Sequence, residues 1–394
     1  MTNELNPSKR LLMGPGPSDV HPRVLRAMTT PLLGHLDPEF LKLMNETKDL
    51  LKVVFQTENK LTIPMSGTGS AGMETVFVNL VEPGDTVIVG VNGLFGQRMV
   101  DVAERCGATV IEVTAPWGEI IEPTAIEKAL KQNPSTKLVA VVHAETSTGV
   151  MQPLKELSKI VHVHNALFVC DMVTSIGGIP TEIDDNDVDA AYSGTQKCLS
   201  APPGLAPVTF NHRALEAMAN RKTKVQSWYL DLSMIQNYWN DERFYHHTAP
   251  ITMVYSLREA LRIILEEGLE NVYARHKRFG TALHSGLEAM GLELLVKKEH
   301  RLYQLTSVLI PNGVNDLEVR KQLLAKYGLE IGGGLGELKG KVWRIGLMGY
   351  NATQTNVTQF LAALEDVLRE QGFECKPGAG LLAANESIKE QVTV

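Results

Sequence analysis

A chain of 394 residues with 44% apolar and 21% charged side chains can bury a large core and has the composition of an ordinary globular protein. Its net charge of -7, with no lysine- or arginine-rich block, argues against nucleic acid as the main partner, and no apolar run is long enough to span a bilayer. The four cysteines, Cys106, Cys170, Cys198 and Cys375, are dispersed without a CxxC pair, and the first ten residues lack the apolar stretch of a secretory signal, so a reducing, cytoplasmic setting is expected.

Residues 1–10 are polar and expected to be loose. Leu11 to Pro22 is dense in Gly and Pro, too broken for a helix or an interior strand, and reads as an extended arm. Leu41 to Phe55 shows the i, i+3, i+4 apolar spacing of an amphipathic helix. The apolar run Leu61–Met65 reads as a strand, and Ser66-Gly-Thr-Gly-Ser-Ala-Gly-Met73 then opens a helix. Gly67, Gly69 and Gly72 match GxGxxG, which makes a dinucleotide-binding unit the rival reading. That unit wants an acid at the end of the next strand, Thr86–Val91, but the strand runs into Asn92-Gly93. A phosphate held by the backbone N–H groups of Thr68, Gly69 and Ser70 at a helix N-terminus needs no such acid. A plain strand–helix turn would need no ligand at all.

From Thr86 onward, strand patterns at 86–91, 108–113, 137–142, 166–170 and 188–192 alternate with helical ones at 94–106, 123–132 and 153–163. Alternation with Val-rich strands implies an α/β fold, an open and mostly parallel sheet between helices, with ligands at the carboxyl ends of the strands. Phe95, Thr146, Asp171 and Lys197 all fall just beyond such ends. Lys197 stands in a small-residue loop closed by Pro202-Pro203-Gly204. Desolvation there lowers its pKa and frees the amine to attack an aldehyde, although most loop lysines are merely solvated charges. Asp171 is the kind of acid that a pyridinium nitrogen needs. An aldehyde-capturing lysine, an acid for a ring nitrogen and a phosphate cradle together point to pyridoxal phosphate (PLP). His143, His162, His164, His246 and His247 show no metal-binding spacing and are read as non-ligands.

Past residue 250 the pattern changes. Met253 to Leu287 reads as long helical segments broken at Glu266-Glu267-Gly268. Short strands at 307–310 and 342–346 and helices at 316–327 and 354–370 suggest a small α+β lobe, with Gly332–Gly336 as a flexible loop. Arg344 lies inside an apolar strand and must meet an anion, either in an internal salt bridge or on a ligand. The expected division is an arm (1–22), a large domain (23–264), a small C-terminal domain (265–375) and a mobile tail (376–394).

Collinear blocks make the chain similar to a known family: GPGPSDVHPRVL (14–25), SGTGSAGMETVFVNLVEPGD (66–85), NGLFGQR (92–98), HAETSTGVMQP (143–153), DMVTSIGG (171–178), YSGTQKCLSAPPG (192–204), YHHTAP (245–250) and WRIGLMG (343–349). From about Leu11 to about Gly372 it resembles the class V, fold-type I PLP-dependent aminotransferases, and within them the alanine–glyoxylate and serine–glyoxylate group. The resemblance implies the PLP-transferase fold type I, with PLP held by Lys197 and the freed amine moving a proton at the substrate Cα. It implies that Asp171 keeps the pyridine nitrogen protonated, that Phe95 stacks on the ring, and that Thr146 contacts the ring hydroxyl or the imine. Gln196 is implied at the phosphate, and Val173 among the cofactor contacts. Tyr245 and Thr248 are implied to reach the phosphate of the neighbouring subunit in a homodimer with shared sites. Arg344 would clamp the substrate carboxylate, with the backbone of Gly16 close by.

The reaction so implied moves the amino group of alanine, or of serine, to glyoxylate, giving glycine and a keto acid; serine–pyruvate specificity is the alternative. A cysteine desulfurase-like lyase would need a mobile thiolate, but the small lobe offers only Cys375, and Cys198 is fixed beside the lysine. A non-catalytic subunit of the same fold would have no use for Lys197, Asp171 and Arg344 together.

Overall fold

Short Val- and Ala-rich runs become buried strands, and the amphipathic segments between them become the helices that cover both faces. The computed structural model describes residues 4–240 and 242–391; the outermost residues of the arm and of the tail lie outside these. Strand β1 (Leu11–Leu12) and helices α1 (Pro22–Met28) and α2 (Pro38–Phe55) come first. The alternating unit follows: β2 (Leu61–Ser66), α3 (Gly69–Leu80), β3 (Thr86–Val91), α4 (Leu94–Arg105), β4 (Thr109–Thr114), α5 (Pro123–Gln132) and β5 (Thr136–Val142). A hairpin of β6 (Ala144–Glu145) and β7 (Val150–Met151) interrupts it before α6 (Lys155–Val163), β8 (Leu167–Asp171), β9 (Ala190–Tyr192) and β10 (Leu205–Phe210). Helices α7 (His212–Ala219), α8 (Leu232–Trp239), α9 (Ile251–Glu267) and α10 (Leu269–Ala289) lead to the last part: β11 (Leu305–Leu309), α11 (Asp316–Tyr327), β12 (Leu329–Glu330), β13 (Gly332–Gly333), β14 (Val342–Gly346), α12 (Gln354–Glu370) and α13 (Ala379–Glu390).

The central sheet has the order β2-β10-β9-β8-β5-β3-β4. β10 runs antiparallel to both β2 and β9, and the pairs β9–β8, β8–β5, β5–β3 and β3–β4 are parallel. The carboxyl ends of β2, β3, β5, β8 and β9 therefore share one edge, where a ligand site is expected. A second sheet, β11-β14-β13, carries Arg344 opposite Ser307 on one side and Gly332 on the other. The apolar core is correspondingly split: one cluster spans Phe40 to Val272, and a second joins Met13 of the arm to residues from Ala282 to Ile388.

Three departures from the sequence expectation have local causes. α2 begins three residues early because Asp37 accepts the Glu39 N–H at 2.8 Å and Pro38 takes the first helical position. The Gly332–Gly336 stretch is only partly a loop. Gly332 and Gly333 pair with β14, and a Cβ on Gly332 would sit 2.5 Å from Pro15 Cδ, so these glycines serve close packing. The tail is not loose: α13 buries Ala384 and Ile388 against the second core, and a Cβ on Gly380 would meet Met290 Cγ at 2.8 Å.

Candidate active site

α3 starts at the end of β2 with its first turn pressed on the sheet. A Cβ on Gly69 would touch Val173 Cγ2 at 3.3 Å, and one on Gly72 would touch Tyr192 Cβ at 3.2 Å, so a side chain at either position would crowd this approach. Thr68, the residue before the helix, is extended and makes no side-chain cap. The helix thus presents its N-terminal N–H groups and its positive dipole end without a competing acceptor from that side chain. Thr68, Gly69 and Ser70 line a cavity of about 210 Å³ together with Phe95, Arg98, Asp171, Val173, Gln196 and Lys197.

Lys197 is 8% exposed in the loop after β9. Burial pulls its pKa down to about 8, helped by the positive charge of Arg344. Its ammonium donates to the carbonyl of Pro15, and a Cβ on Gly16 would lie 2.6 Å from Lys197 Nζ, so the arm lies directly over the lysine. Ser18 fastens that arm: its N–H donates to the Gln196 carbonyl at 2.9 Å and its hydroxyl to the Lys197 carbonyl at 2.7 Å. Asp171 ends β8, accepts the Val173 N–H at 2.9 Å, and is pushed up to about 7 by burial. Tyr192, its register partner on β9, lies close enough to influence that titration, yet its buried hydroxyl makes no hydrogen bond of ordinary geometry.

Arg344 approaches from the second sheet, 6% exposed. Its Nε donates to the Gly333 carbonyl at 2.8 Å and its Nη1 to the Thr146 carbonyl at 3.2 Å. Burial pulls its pKa down to about 10, which still leaves it cationic near neutral pH. Both of its hydrogen-bond acceptors are backbone carbonyls, so the internal salt bridge allowed by the sequence is not what holds it.

Not every expected residue reaches the cavity. The Thr146 hydroxyl is taken by Thr174 at 2.6 Å, and its carbonyl serves Arg344. Tyr245, 60% exposed, and Thr248, also exposed, stand on the surface of the chain. Between them His247 meets Ser66 Oγ at 2.8 Å, next to the cradle. Cys198 is buried with its thiol pushed up to about 12, and Cys375 lies beyond α12, so neither offers a mobile thiolate. Residues that sequence reasoning missed include Arg98, whose guanidinium lies 4.9 Å from the Phe95 ring centre and 3.3 Å from Ser70 Oγ. Its spacing of one helical turn from Phe95 was the available signal. Ser18 and Glu145 carried no local signal.

The chemistry of this donor set suits PLP. The cavity joins a buried amine of lowered pKa, a buried carboxylate and an uncapped helix N-terminus. Among the described residues no group of three or more His, Cys, Asp or Glu is placed to hold a metal ion.

Comparison with known proteins agrees. The family model of the aminotransferase class-V proteins matches residues 12–360. A solved alanine–glyoxylate aminotransferase from Nostoc sp. is 50% identical with a TM-score of 0.92, over 94% of this chain and 98% of that one. A solved ureidoglycine–glyoxylate aminotransferase from Bacillus subtilis is 43% identical with a TM-score of 0.96, over 98% and 100%. The alanine–glyoxylate aminotransferase of Mus musculus is 41% identical over 373 residues, 94% of this chain and 90% of the relative. The chain therefore belongs to the class-V aminotransferases, with the PLP-transferase fold type I, and is a PLP-dependent transaminase.

Proposed function

We propose that the chain transfers the amino group of a small L-amino acid, alanine foremost, to glyoxylate, releasing glycine and a keto acid. The observation that carries this reading is Arg344, a buried cation held only by carbonyls and electrostatically coupled to Lys197. Every donor and acceptor of this class carries a carboxylate that such a guanidinium fork can bind. Glyoxylate as acceptor is supported by the names of the three similar proteins given above, each of which pairs a donor with glyoxylate.

When bound, PLP supplies an electron sink for the bond broken at the substrate Cα. Lys197, largely neutral above pH 8, is suited to take up and return the Cα proton. Asp171 would hold the ring nitrogen in its protonated state, and that cation would draw the carboxyl back down. Phe95 and Val173 would contact the ring, and Thr68, Gly69, Ser70 and Gln196 the phosphate. Arg344, on the small domain at 265–375, would orient the substrate beneath Gly16.

The proposal includes a homodimer in which Tyr245 and Thr248 of each chain complete the other chain's phosphate site. Its support is the exposure of four large aromatic side chains close together in sequence, Trp228, Tyr229, Phe244 and Tyr245. Among the described residues no helix is long and apolar enough to cross a membrane, and all four cysteines are free, in keeping with a cytoplasmic site of action. A second donor is favoured by the Bacillus subtilis similarity, namely (S)-ureidoglycine.

The deciding experiment is a matrix of alanine, serine and (S)-ureidoglycine against glyoxylate, pyruvate and hydroxypyruvate. Alanine with glyoxylate is expected to give the highest kcat/KM. A clear preference for ureidoglycine would replace alanine as donor, and failure with glyoxylate would overturn the acceptor.

A further inference from the structure

Glu145 is wholly buried and does not line the cavity, yet it ties three parts of the site together. Its Oε1 accepts the Ser147 N–H at 2.9 Å and the Ser147 hydroxyl at 2.6 Å. Its Oε2 accepts the N–H groups of Phe95 at 3.1 Å and Gly96 at 3.4 Å. Ser147 Oγ in turn accepts the Leu94 N–H at 2.9 Å. The first three N–H groups of α4 are thus satisfied by a turn some fifty residues away in sequence.

The local chain could not provide this cap. The preceding residue is Gly93, extended and without a side chain, and a Cβ there would overlap Glu145 Cδ and Cγ. Glycine at 93 is what admits the distant carboxylate. One residue on from Glu145, the Thr146 carbonyl seats Arg344 and the Thr146 hydroxyl meets Thr174, three residues past Asp171. A carboxylate on helix N–H groups makes charge-assisted bonds aligned with the helix dipole. Burial raises its pKa, and the hydrogen bonds from Ser147, Phe95 and Gly96 oppose that rise.

We propose that Glu145 is a positioning residue that fixes Phe95 through the first turn of α4, so that its charge governs cofactor retention and leaves the carboxylate clamp of Arg344 intact. This rests on the reading of the cavity as a PLP site with Phe95 against the ring. Glutamine at 145 keeps the shape but turns an amide NH2 toward N–H or O–H donors. In either orientation of the amide one side of the cluster loses an acceptor, and the α4 turn loses the negative charge aligned with its dipole, while the Thr146 carbonyl is a backbone group outside the exchange.

The test uses the full-length chain and two readouts. One is the PLP dissociation constant of the cofactor-free protein, from absorbance titration. The other is the KM for alanine at saturating PLP. Glu145→Gln is expected to raise the PLP constant about tenfold or more, with the alanine KM within about twofold of the original. Gly93→Ala, which keeps every polar group but pushes a Cβ into the carboxylate, should give the same split and serves if the glutamine variant does not fold. Unchanged PLP affinity in both variants, or a common rise of both constants, would overturn the proposal, the second because general loosening moves both. A wild-type chain that takes up no PLP would instead bring down the cofactor reading beneath it.

Discussion

The guanidinium of Arg344 donates to the backbone carbonyl of Thr146 at 3.2 Å, across the seam between the two sheets. A cation from the second sheet is thereby docked on the turn between β6 and β7, close enough to Lys197 for its charge to lower the lysine pKa. The remaining donors of that fork are what a substrate carboxylate would find. Arg344→Lys keeps the charge but loses the planar two-bond geometry. It should cost about ten- to a hundredfold in kcat/KM, the usual worth of a charge-assisted bond. Alanine and glyoxylate should suffer alike, since both carry the carboxylate, while PLP affinity stays unchanged. Steady-state kinetics with each substrate varied separately checks this. A loss confined to one donor would assign Arg344 to the side chain instead.

Lys197 gives a pH prediction. Its folded pKa of about 8 lies below the unfolded value of 10.5, so the folded chain carries a buried cation below pH 8. Between about 8 and 10.5 the unfolded chain binds more protons, and stability therefore rises with pH through that window. The nucleophile follows the same titration. The rate of PLP uptake by the cofactor-free chain should climb about tenfold per pH unit below 8 and level off above it. Stopped-flow absorbance at several pH values measures the profile, and Lys197→Ala should leave no borohydride-fixed adduct at this position. A flat profile from pH 6 to 9 would show that another group limits uptake.

Much of this site was legible in the chain, and the reason is local. Gly67, Gly69 and Gly72 mark a strand-to-helix turn by themselves, and Asp171 and Lys197 each follow a run of buried residues. What was not legible depends on residues far apart in sequence. Glu145 caps a helix that begins at Leu94, and Ser18 holds a loop near residue 197, so neither contact leaves a pattern within a window of ten. Helix α13 could have been found from Gly380, Ala384, Ser387 and Ile388, which repeat at helical spacing. Polar neighbours and the glycines at 372, 378 and 380 obscured that stripe, and its partner face on α10, at Gly286, is set only by packing.

Asp171 should show a trade between stability and function. Its pKa is raised from 3.8 to about 7, so the stability contributed by its protonated form is complete below 3.8 and lost as pH rises through about 7. At pH 8 the PLP-free chain therefore buries a carboxylate whose desolvation outweighs the Val173 hydrogen bond and the nearby Lys197 charge. Asp171→Asn removes that charge and can keep an oxygen on the Val173 N–H. The cofactor-free variant should gain on the order of 1–3 kcal/mol at pH 8 and little near pH 4. Turnover should fall about a hundredfold or more, because the ring nitrogen loses its countercharge. Thermal unfolding at the two pH values and steady-state assays test both halves. Near-normal turnover would mean that the acid partner is misassigned.

The last prediction concerns which chain completes the phosphate site. Within one chain Tyr245 and Thr248 are exposed, while His247 between them is anchored to Ser66 beside the cradle. The loop thus roots near its own cradle but presents those two side chains outward, within the aromatic surface of Trp228, Tyr229 and Phe244. Tyr245→Phe with Thr248→Ala should weaken PLP binding and leave the fold of the chain intact, since neither side chain is buried. Lys197→Ala should be inactive by itself. Co-expressed with two different tags and purified as the mixed dimer, the two variants should recover activity at limiting PLP. One of the two sites then combines an intact Lys197 from one chain with an intact Tyr245 and Thr248 from the other, and the second site has neither. Half the wild-type activity per dimer is the expected ceiling. If the contacts are made within one chain, each site of the mixed dimer lacks one of its parts, and activity stays at the level of the separate variants.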